Sequence, residues 1–151
     1  MRVYEAELRY TATLWSVGTT TLSRPEAAYD YLKDIIDDYP TQETLWVVML
    51  TARMTPIARI LCSKGTATAA LAHPREIFKP AILAGAVSIL LAHNHPSGCP
   101  LPSAADVTLT RQVREAGKVI GIDLTDHIIL GTKEADTNGK GWYSFREAGI
   151  V

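Results

Sequence analysis

Cysteine is scarce in this sequence, and long uninterrupted apolar segments are absent. Only two cysteines, Cys62 and Cys99, occur among 151 residues, so reduced thiols in a cytosolic setting are the simplest interpretation. The longest apolar run, residues 82–92, is interrupted by glycine and serine and is too short to span a bilayer. The first residues lack an apolar stretch of signal-peptide length. These absences predict a cytoplasmic protein without a membrane span.

An excess of charge of either sign is also missing. The 15 lysines and arginines nearly balance the 16 aspartates and glutamates, which gives a formal net charge of −1 at pH 7. A protein that binds nucleic acid over its whole surface would carry a positive excess. Arg111, Arg114 and Lys118 on one predicted helix form only a modest basic patch. The composition therefore gives a nucleic-acid partner no support.

What is present is the composition of an ordinary globular protein. Hydrophobic residues make up 47% of the chain and charged residues 21%, which is typical of soluble globular proteins. The length favours one compact domain over residues 1–151. We find no internal repeat and no low-complexity linker that would divide it.

Hydrophobic patterns predict strands that alternate with helices. A strand or hairpin arm is expected at residues 2–15, and the later strands are expected from near Thr44, at 57–62, 87–93, 122–130 and, briefly, 142–145. Helices are expected from Ser23 to about Asp38, from about His73, and from Ser103 to Gly117 or Gly121. Ser23 and Glu26 have the spacing of a capping box. This order predicts an α/β or α+β fold with a mixed central β-sheet flanked by helices.

Two histidines, His93 and His95, end the predicted strand at 87–93 in the stretch L-A-H-N-H. Side chains alternate along a strand, so both imidazoles face the same side, with Cα atoms about 6.6 Å apart. The loop H-P-S-G-C-P-L-P returns the chain to Ser103 and Asp106 at the next helix start. Two histidines, an aspartate and one open position are typical of a catalytic zinc site.

Other interpretations of these residues stay open. His93 and His95 could be hydrogen-bonded core histidines, and Ser103 with Asp106 is also a plain helix-start pattern. Cys99 fits a loop residue better than a ligand. The letters H-N-H also occur in a nuclease motif, but its residues lie far apart along the chain, so this match is a coincidence.

A second polar pair, Asp126 and His127, interrupts the apolar strand at 122–130. One of these residues could orient a ligand histidine from outside the ligand set. A hydrogen-bonded structural pair is at least as good an explanation, and the sequence leaves both open.

The stretch H-N-H-P-S-G-C-P-L-P-S-A-A-D resembles the JAMM metalloprotease motif, and its N-H-P-S-G form is similar to the RadC-like branch of the JAB/MPN family. The likeness extends through H-P-R-E-I-F-K-P-A-I-L-A-G-A, G-I-D-L-T-D-H-I-I-L-G and Y-S-F-R-E-A-G. It covers most of residues 41–149, the expected core, and residues 1–40 carry least of it. The resemblance implies a JAB/MPN-like, cytidine-deaminase-like architecture.

Carried over by position, the resemblance implies zinc on His93, His95 and Asp106. It also implies a catalytic glutamate at the start of the first core strand, where Glu43 fits, and it matches Ser103 to a serine that hydrogen-bonds the reacting centre. From the residues alone, Glu43 would be an ordinary solvated residue before a strand. Larger RadC proteins carry an N-terminal helical domain similar to a DNA-binding module, and we expect none within these 151 residues.

Three functions follow as hypotheses. The leading one is a zinc-dependent metallopeptidase (a hydrolase) that cleaves a peptide or isopeptide amide in a protein or peptide substrate. The alternatives are a DNA-repair-associated accessory protein and a non-catalytic binding module on the same fold. Exposed edge strands near either terminus could also pair two copies of the chain into a homo-oligomer.

Overall fold

Five strands form one mixed sheet at the centre of the fold. The computed structural model describes residues 9–11, 20–65 and 72–151. The strands are β1 (Glu43–Leu50), β2 (Pro56–Gly65), β3 (Ser88–Asn94), β4 (Asp123–Leu130) and β5 (Trp142–Ser144), in the spatial order β2-β1-β3-β4-β5. Only β3 and β4 are parallel, and the other neighbours are antiparallel. This sheet confirms the predicted α+β class.

Helices cover both faces of the sheet. They are α1 (Pro25–Leu32), α2 (Asp34–Asp38), α3 (Pro74–Leu83) and α4 (Ala104–Ile120). Apolar residues of α3 and α4 pack with one set of strand side chains, and those of α1 and α2 pack with the opposite set. Every residue of β3 is buried. A central strand covered on both faces reads as a continuous apolar run, which is why the sequence at this strand lacks alternation.

The first helix differs from its prediction at both ends. The predicted capping box of Ser23 and Glu26 is wrong, because Pro25 takes the first helical position and Arg24 becomes the residue before the helix. Arg24 is extended, as residues before proline prefer, and no side chain caps this end. The Ser23 carbonyl accepts a hydrogen bond from the Arg146 guanidinium at 2.9 Å instead. A turn at Lys33 divides the predicted helix into two.

The ends of α4 follow the sequence signals closely. Ser103 caps the first turn, and the helix ends at Gly121, which has a φ of 79° in the left-handed region where glycine carries no Cβ penalty. Of the two glycines the sequence left open, Gly117 lies inside the helix. A Cβ on Gly117 would lie 2.6 Å from the Ile122 carbonyl oxygen, so glycine there allows the close return of the chain into β4.

Pro80 lies inside α3 without ending it. A proline has no N–H to donate to the carbonyl four residues earlier, which here belongs to Glu76. The Cys62 thiol contacts that carbonyl oxygen at 3.8 Å. Burial raises the pKa of Cys62 to about 11, so the thiol keeps its proton and serves as a neutral packing group.

Most of the strand predicted at residues 2–15 lies outside the described residues, and residues 9–11 have no regular secondary structure. Within the described ranges, none of the helices combines the length and apolar character needed to cross a bilayer.

Candidate metal centre

The candidate site lies where the carboxyl end of β3 meets the first residue of β1 and the first turn of α4. In the antiparallel register of β1 and β3, Leu45 pairs with His93. Glu43 precedes Leu45 by two residues and His95 follows His93 by two, and the donor atoms of Glu43 and His95 lie within 4.8 Å of each other. Because strand side chains alternate between faces, Glu43 and His93 lie on the face that α4 covers, and the His95 ring lies beside that of His93.

Four side chains in this region converge on one point. Glu43, His93, His95 and Asp106 each offer one donor atom, and these atoms lie within 4.8 Å of one another. The two histidine Nε2 atoms are 3.0 Å apart. Asp106 places Oδ1 3.3 Å from His93 Nε2 and Oδ2 3.6 Å from His95 Nε2. Ligand atoms that share one tetrahedral zinc lie about 3.3 Å apart, so the spacing fits a single metal ion.

The tautomer of His95 follows from one contact. Its Nδ1 lies 2.8 Å from the backbone carbonyl oxygen of Cys99, and a carbonyl can only accept, so Nδ1 carries the proton. The lone pair of a neutral His95 is then on Nε2, which faces the site. Cys99 contributes its carbonyl here, and its thiol is not among the donor atoms that converge in the described residues.

The two oxygens of Asp106 have different surroundings, so its capping role and a metal-ligand role are geometrically compatible. Ser103 donates its backbone N–H and its hydroxyl to Oδ2, both at 2.7 Å, and its Oγ accepts from the Asp106 backbone N–H at 3.2 Å. This capping box leaves Oδ1 facing His93. Ser103 therefore lies at the helix start with its hydroxyl proton on Asp106.

The electrostatics of the site favour a positive charge between its donors. Burial raises the pKa of Asp106, but the contacts of its carboxylate with the imidazoles of His93 and His95 outweigh burial and hold this pKa well below its usual range. Burial lowers the pKa of His95, but its contact with Asp106 and its hydrogen bond to the Cys99 carbonyl outweigh burial and raise this pKa overall. An ionised carboxylate beside inward-facing imidazole nitrogens is an arrangement that attracts a cation.

The Asp126–His127 pair divides its two residues between the two faces of β4. His127 lies against the candidate ligand, with its Nε2 2.8 Å from His93 Nδ1. Its burial lowers its pKa well below the usual range, so the ring is neutral. Asp126 accepts from the Ser144 hydroxyl at 2.6 Å and from the Arg146 backbone N–H at 3.0 Å. His127 is thus a neighbour of the site, and Asp126 fixes the corner after β5.

Sequence reasoning missed Asn94, the middle residue of H-N-H. Its buried side chain accepts at Oδ1 from Thr44 N (2.9 Å) and Thr44 Oγ1 (2.7 Å). Its Nδ2 donates to the carbonyls of Tyr39 (3.0 Å) and Gln42 (2.9 Å). These bonds hold the residues on both sides of Glu43. The available signal in the sequence was an amide residue at the end of a predicted buried strand, on the opposite face from the two histidines.

We expect Asn94→Ala to lower the free energy of unfolding by about 2 kcal/mol or more, because it leaves buried polar partners unpaired. Urea denaturation followed by circular dichroism measures this loss. Asn138→Ala, in an exposed loop, is the matched control and should change stability by less than about 0.5 kcal/mol. Equal stability of the two variants would contradict the bracing role of Asn94.

A cavity of about 310 Å³ opens beside His95. One wall is formed by α2 and the α2–β1 connection, and the other by the end of β3 and the segments that follow β3 and β4. The lining residues are Ile36, Asp37, Tyr39, Pro40, Asn94, His95, Pro96, Gly98 and Thr132. The side chain of His93 is fully buried, whereas that of His95 is 16% exposed. Of the two histidines, His95 is therefore the one that a molecule in this cavity can contact.

The chain is similar to known proteins over most of its length. The family model described as "RadC-like JAB domain" matches residues 22–150. The chain is similar to UPF0758 protein STH371 of Symbiobacterium thermophilum (41% identity, covering 86% of this chain and 52% of that protein). It is also similar to a UPF0758 protein of Rubrobacter xylanophilus (44% identity, covering 73% and 45%). The chain spans about half the length of these relatives, and it belongs to the family of RadC-like JAB domains.

Proposed function

We propose that this chain is a zinc-dependent metallopeptidase of the JAMM type, which hydrolyses a peptide or isopeptide amide in a protein substrate. The observation that carries the proposal is the convergence of Glu43, His93, His95 and Asp106 within 4.8 Å. Structural zinc sites are closed by four protein ligands, whereas catalytic sites keep one position open. Here one of the donors, His95, lines a cavity and is partly exposed.

The donor set favours zinc among the common metal ions. His93, His95 and Asp106 would hold it through two imidazole nitrogens and a carboxylate oxygen, a combination that suits zinc better than magnesium or calcium, which prefer oxygen ligands alone. Bound zinc supplies a Lewis acid that polarises a carbonyl group and lowers the pKa of a water molecule.

Glu43 is the proposed general base. Its carboxylate would accept a proton from the attacking water and pass that proton to the leaving amine nitrogen. This role requires a carboxylate beside the metal position, and the contacts of Asn94 with Gln42 and Thr44 support it by holding the backbone on both sides of Glu43. Glu43 is half-buried, and its carboxylate lies within 4.8 Å of the donor atoms of the three proposed ligands.

Ser103 is the proposed hydrogen-bond donor to the negative oxygen that develops on the substrate. Its hydroxyl carries one proton, which it donates to Asp106 Oδ2 in the described arrangement. To assist the reaction, the hydroxyl would exchange that bond for one to the substrate oxygen. The backbone N–H of Ser103 keeps its own bond to Asp106, so the carboxylate would stay in place during the exchange.

The proposal is tested by metal analysis together with hydrolysis. We expect about one zinc per purified chain, and cleavage within libraries of peptides and isopeptide-linked conjugates. A chelator should remove activity, and added zinc should restore it. A folded, zinc-loaded protein that cleaves neither class across broad libraries would overturn the peptidase and favour a binding module on the same fold.

A further inference from the structure

The protonation pattern of His93 decides whether this residue can bind a metal, because only an unprotonated Nε2 offers a lone pair to the site. We infer that Thr110 and His127 form a one-directional hydrogen-bond chain that holds His93 in this metal-binding tautomer. Both are positioning residues, since they act through His93. The inference rests on the proposed function in taking His93 as a zinc ligand.

The direction of the chain is set at Thr110. Its Oγ1 lies 2.6 Å from the Asp106 backbone carbonyl oxygen and 2.6 Å from His127 Nδ1. A carbonyl oxygen has no proton, and two oxygens at this distance repel each other unless one donates. The single hydroxyl proton therefore lies on the bond to Asp106. Thr110 must then accept from His127, so Nδ1 of His127 carries a proton.

His127 transmits this direction to the ligand. The ring is fully buried and is stacked on Phe145, with ring centroids 4.8 Å apart, and a charged imidazole in such surroundings would be costly. A neutral ring with its proton on Nδ1 has its lone pair on Nε2. That atom lies 2.8 Å from His93 Nδ1, so His93 donates to His127.

The result for His93 is a proton on Nδ1 and a free Nε2. That free nitrogen lies 3.0 Å from His95 Nε2 and 3.3 Å from Asp106 Oδ1, at the candidate metal position. The opposite tautomer would place a proton where the ion binds. Helix α4 therefore contributes to the proposed metal site in two ways. The Asp106 side chain offers a ligand oxygen, and the Asp106 backbone carbonyl accepts from Thr110 and so begins the hydrogen-bond chain.

The chain is tested first by zinc affinity, measured by competition with a chelating dye. Thr110→Val keeps the shape of the side chain but removes the hydroxyl. We expect zinc binding to weaken about 10- to 100-fold, the usual effect of removing the hydrogen-bond partners that orient metal ligands. Thr110→Ser should restore affinity. Thr108→Val is the matched control, because Thr108 makes the same type of bond, to Ala104 O at 2.9 Å, on an exposed side of the helix. It should bind zinc like wild type.

Nitrogen-15 NMR of the wild-type histidines reports the tautomers directly and does not depend on a folded variant. We expect protons on Nδ1 of both His93 and His127, with and without zinc. The inferred hydrogen-bond chain would be wrong if Nε2 of His127 carried a proton, or if a folded Thr110→Val protein bound zinc with wild-type affinity. If the expected tautomers are found but the wild-type protein binds no zinc, the inferred hydrogen-bond chain is confirmed and the proposed function is wrong.

Discussion

Glu43→Gln is expected to lower the rate of zinc-dependent amide hydrolysis by about 10²- to 10⁴-fold, the usual contribution of a general base, while zinc stays bound. Glutamine preserves the size of the side chain but cannot accept the proton of the attacking water. Of the three proposed ligands, His93 lies in β3, His95 directly follows that strand and Asp106 lies in α4, so the change at the start of β1 should leave metal binding intact. The measurements are kcat on the best substrate of the library and zinc content per chain.

Glu76→Gln is the control for this change, because it makes the same substitution on an exposed residue in the first turn of α3. It should retain full activity and full zinc. The proposed role of Glu43 would be wrong if Glu43→Gln hydrolysed the substrate at the wild-type rate. Loss of zinc in the same variant would instead identify Glu43 as a ligand, which its place within the donor group allows geometrically.

The second large effect is expected from Asp106→Asn, which should weaken zinc binding by more than about 100-fold. Loss of a hydrogen-bond partner of a ligand typically costs about 10- to 100-fold in metal affinity, and loss of a ligand oxygen itself should cost more. The substitution removes the ionised ligand oxygen near His93 and the negative charge that attracts the cation. An asparagine carbonyl can still accept from Ser103, so the start of α4 should be kept. Competition titration measures the affinity, and circular dichroism checks the fold.

Two further variants separate the ligand role of Asp106 from its capping role. Ser103→Ala removes the cap hydroxyl and keeps the carboxylate, so we expect a loss of about 1 kcal/mol in stability with zinc retained. Asp106→Ala should lose both the zinc and the capping contribution. If Asp106→Asn and Asp106→Ala bound zinc as wild type does, Asp106 would be a helix cap alone, and the centre would lack its third ligand.

Together these variants distinguish a peptidase from a metal-containing binding module. In a peptidase, Glu43→Gln loses hydrolysis and keeps zinc, whereas Asp106→Asn loses both. In a binding module, wild type and Glu43→Gln would bind zinc equally and neither would cleave. The two results depend on different elements, since Glu43 begins β1 and Asp106 lies in the first turn of α4.

Local sequence patterns were sufficient for most elements of the fold. The buried apolar run before His93 predicted β3, and Ser103 and Gly121 marked the ends of α4, because caps and hydrophobic periods depend on neighbouring residues. The first helix shows the limit of this reasoning. Ser23 has the right spacing for a capping box, but the backbone restriction before Pro25 moves the helix start one residue further.

By itself, the sequence determined which donors lie close together through local geometry. His93 and His95 share a face because strand side chains alternate, and Ser103 is linked to Asp106 by one helical turn. Their chemistry already indicated a metal site. The likeness of the surrounding motifs supplied the expectation for Glu43, which no local pattern could justify.

Only the tertiary structure decided what surrounds those donors. Glu43 reaches the site because β1 pairs with β3, and Asn94 holds this junction across 50 residues of sequence. The faces of β4 became distinguishable only when α4 covered one of them, which placed His127 beside His93 and turned Asp126 away. Contacts between distant segments follow from strand pairing and helix packing, and these depend on the whole chain rather than on any stretch within it.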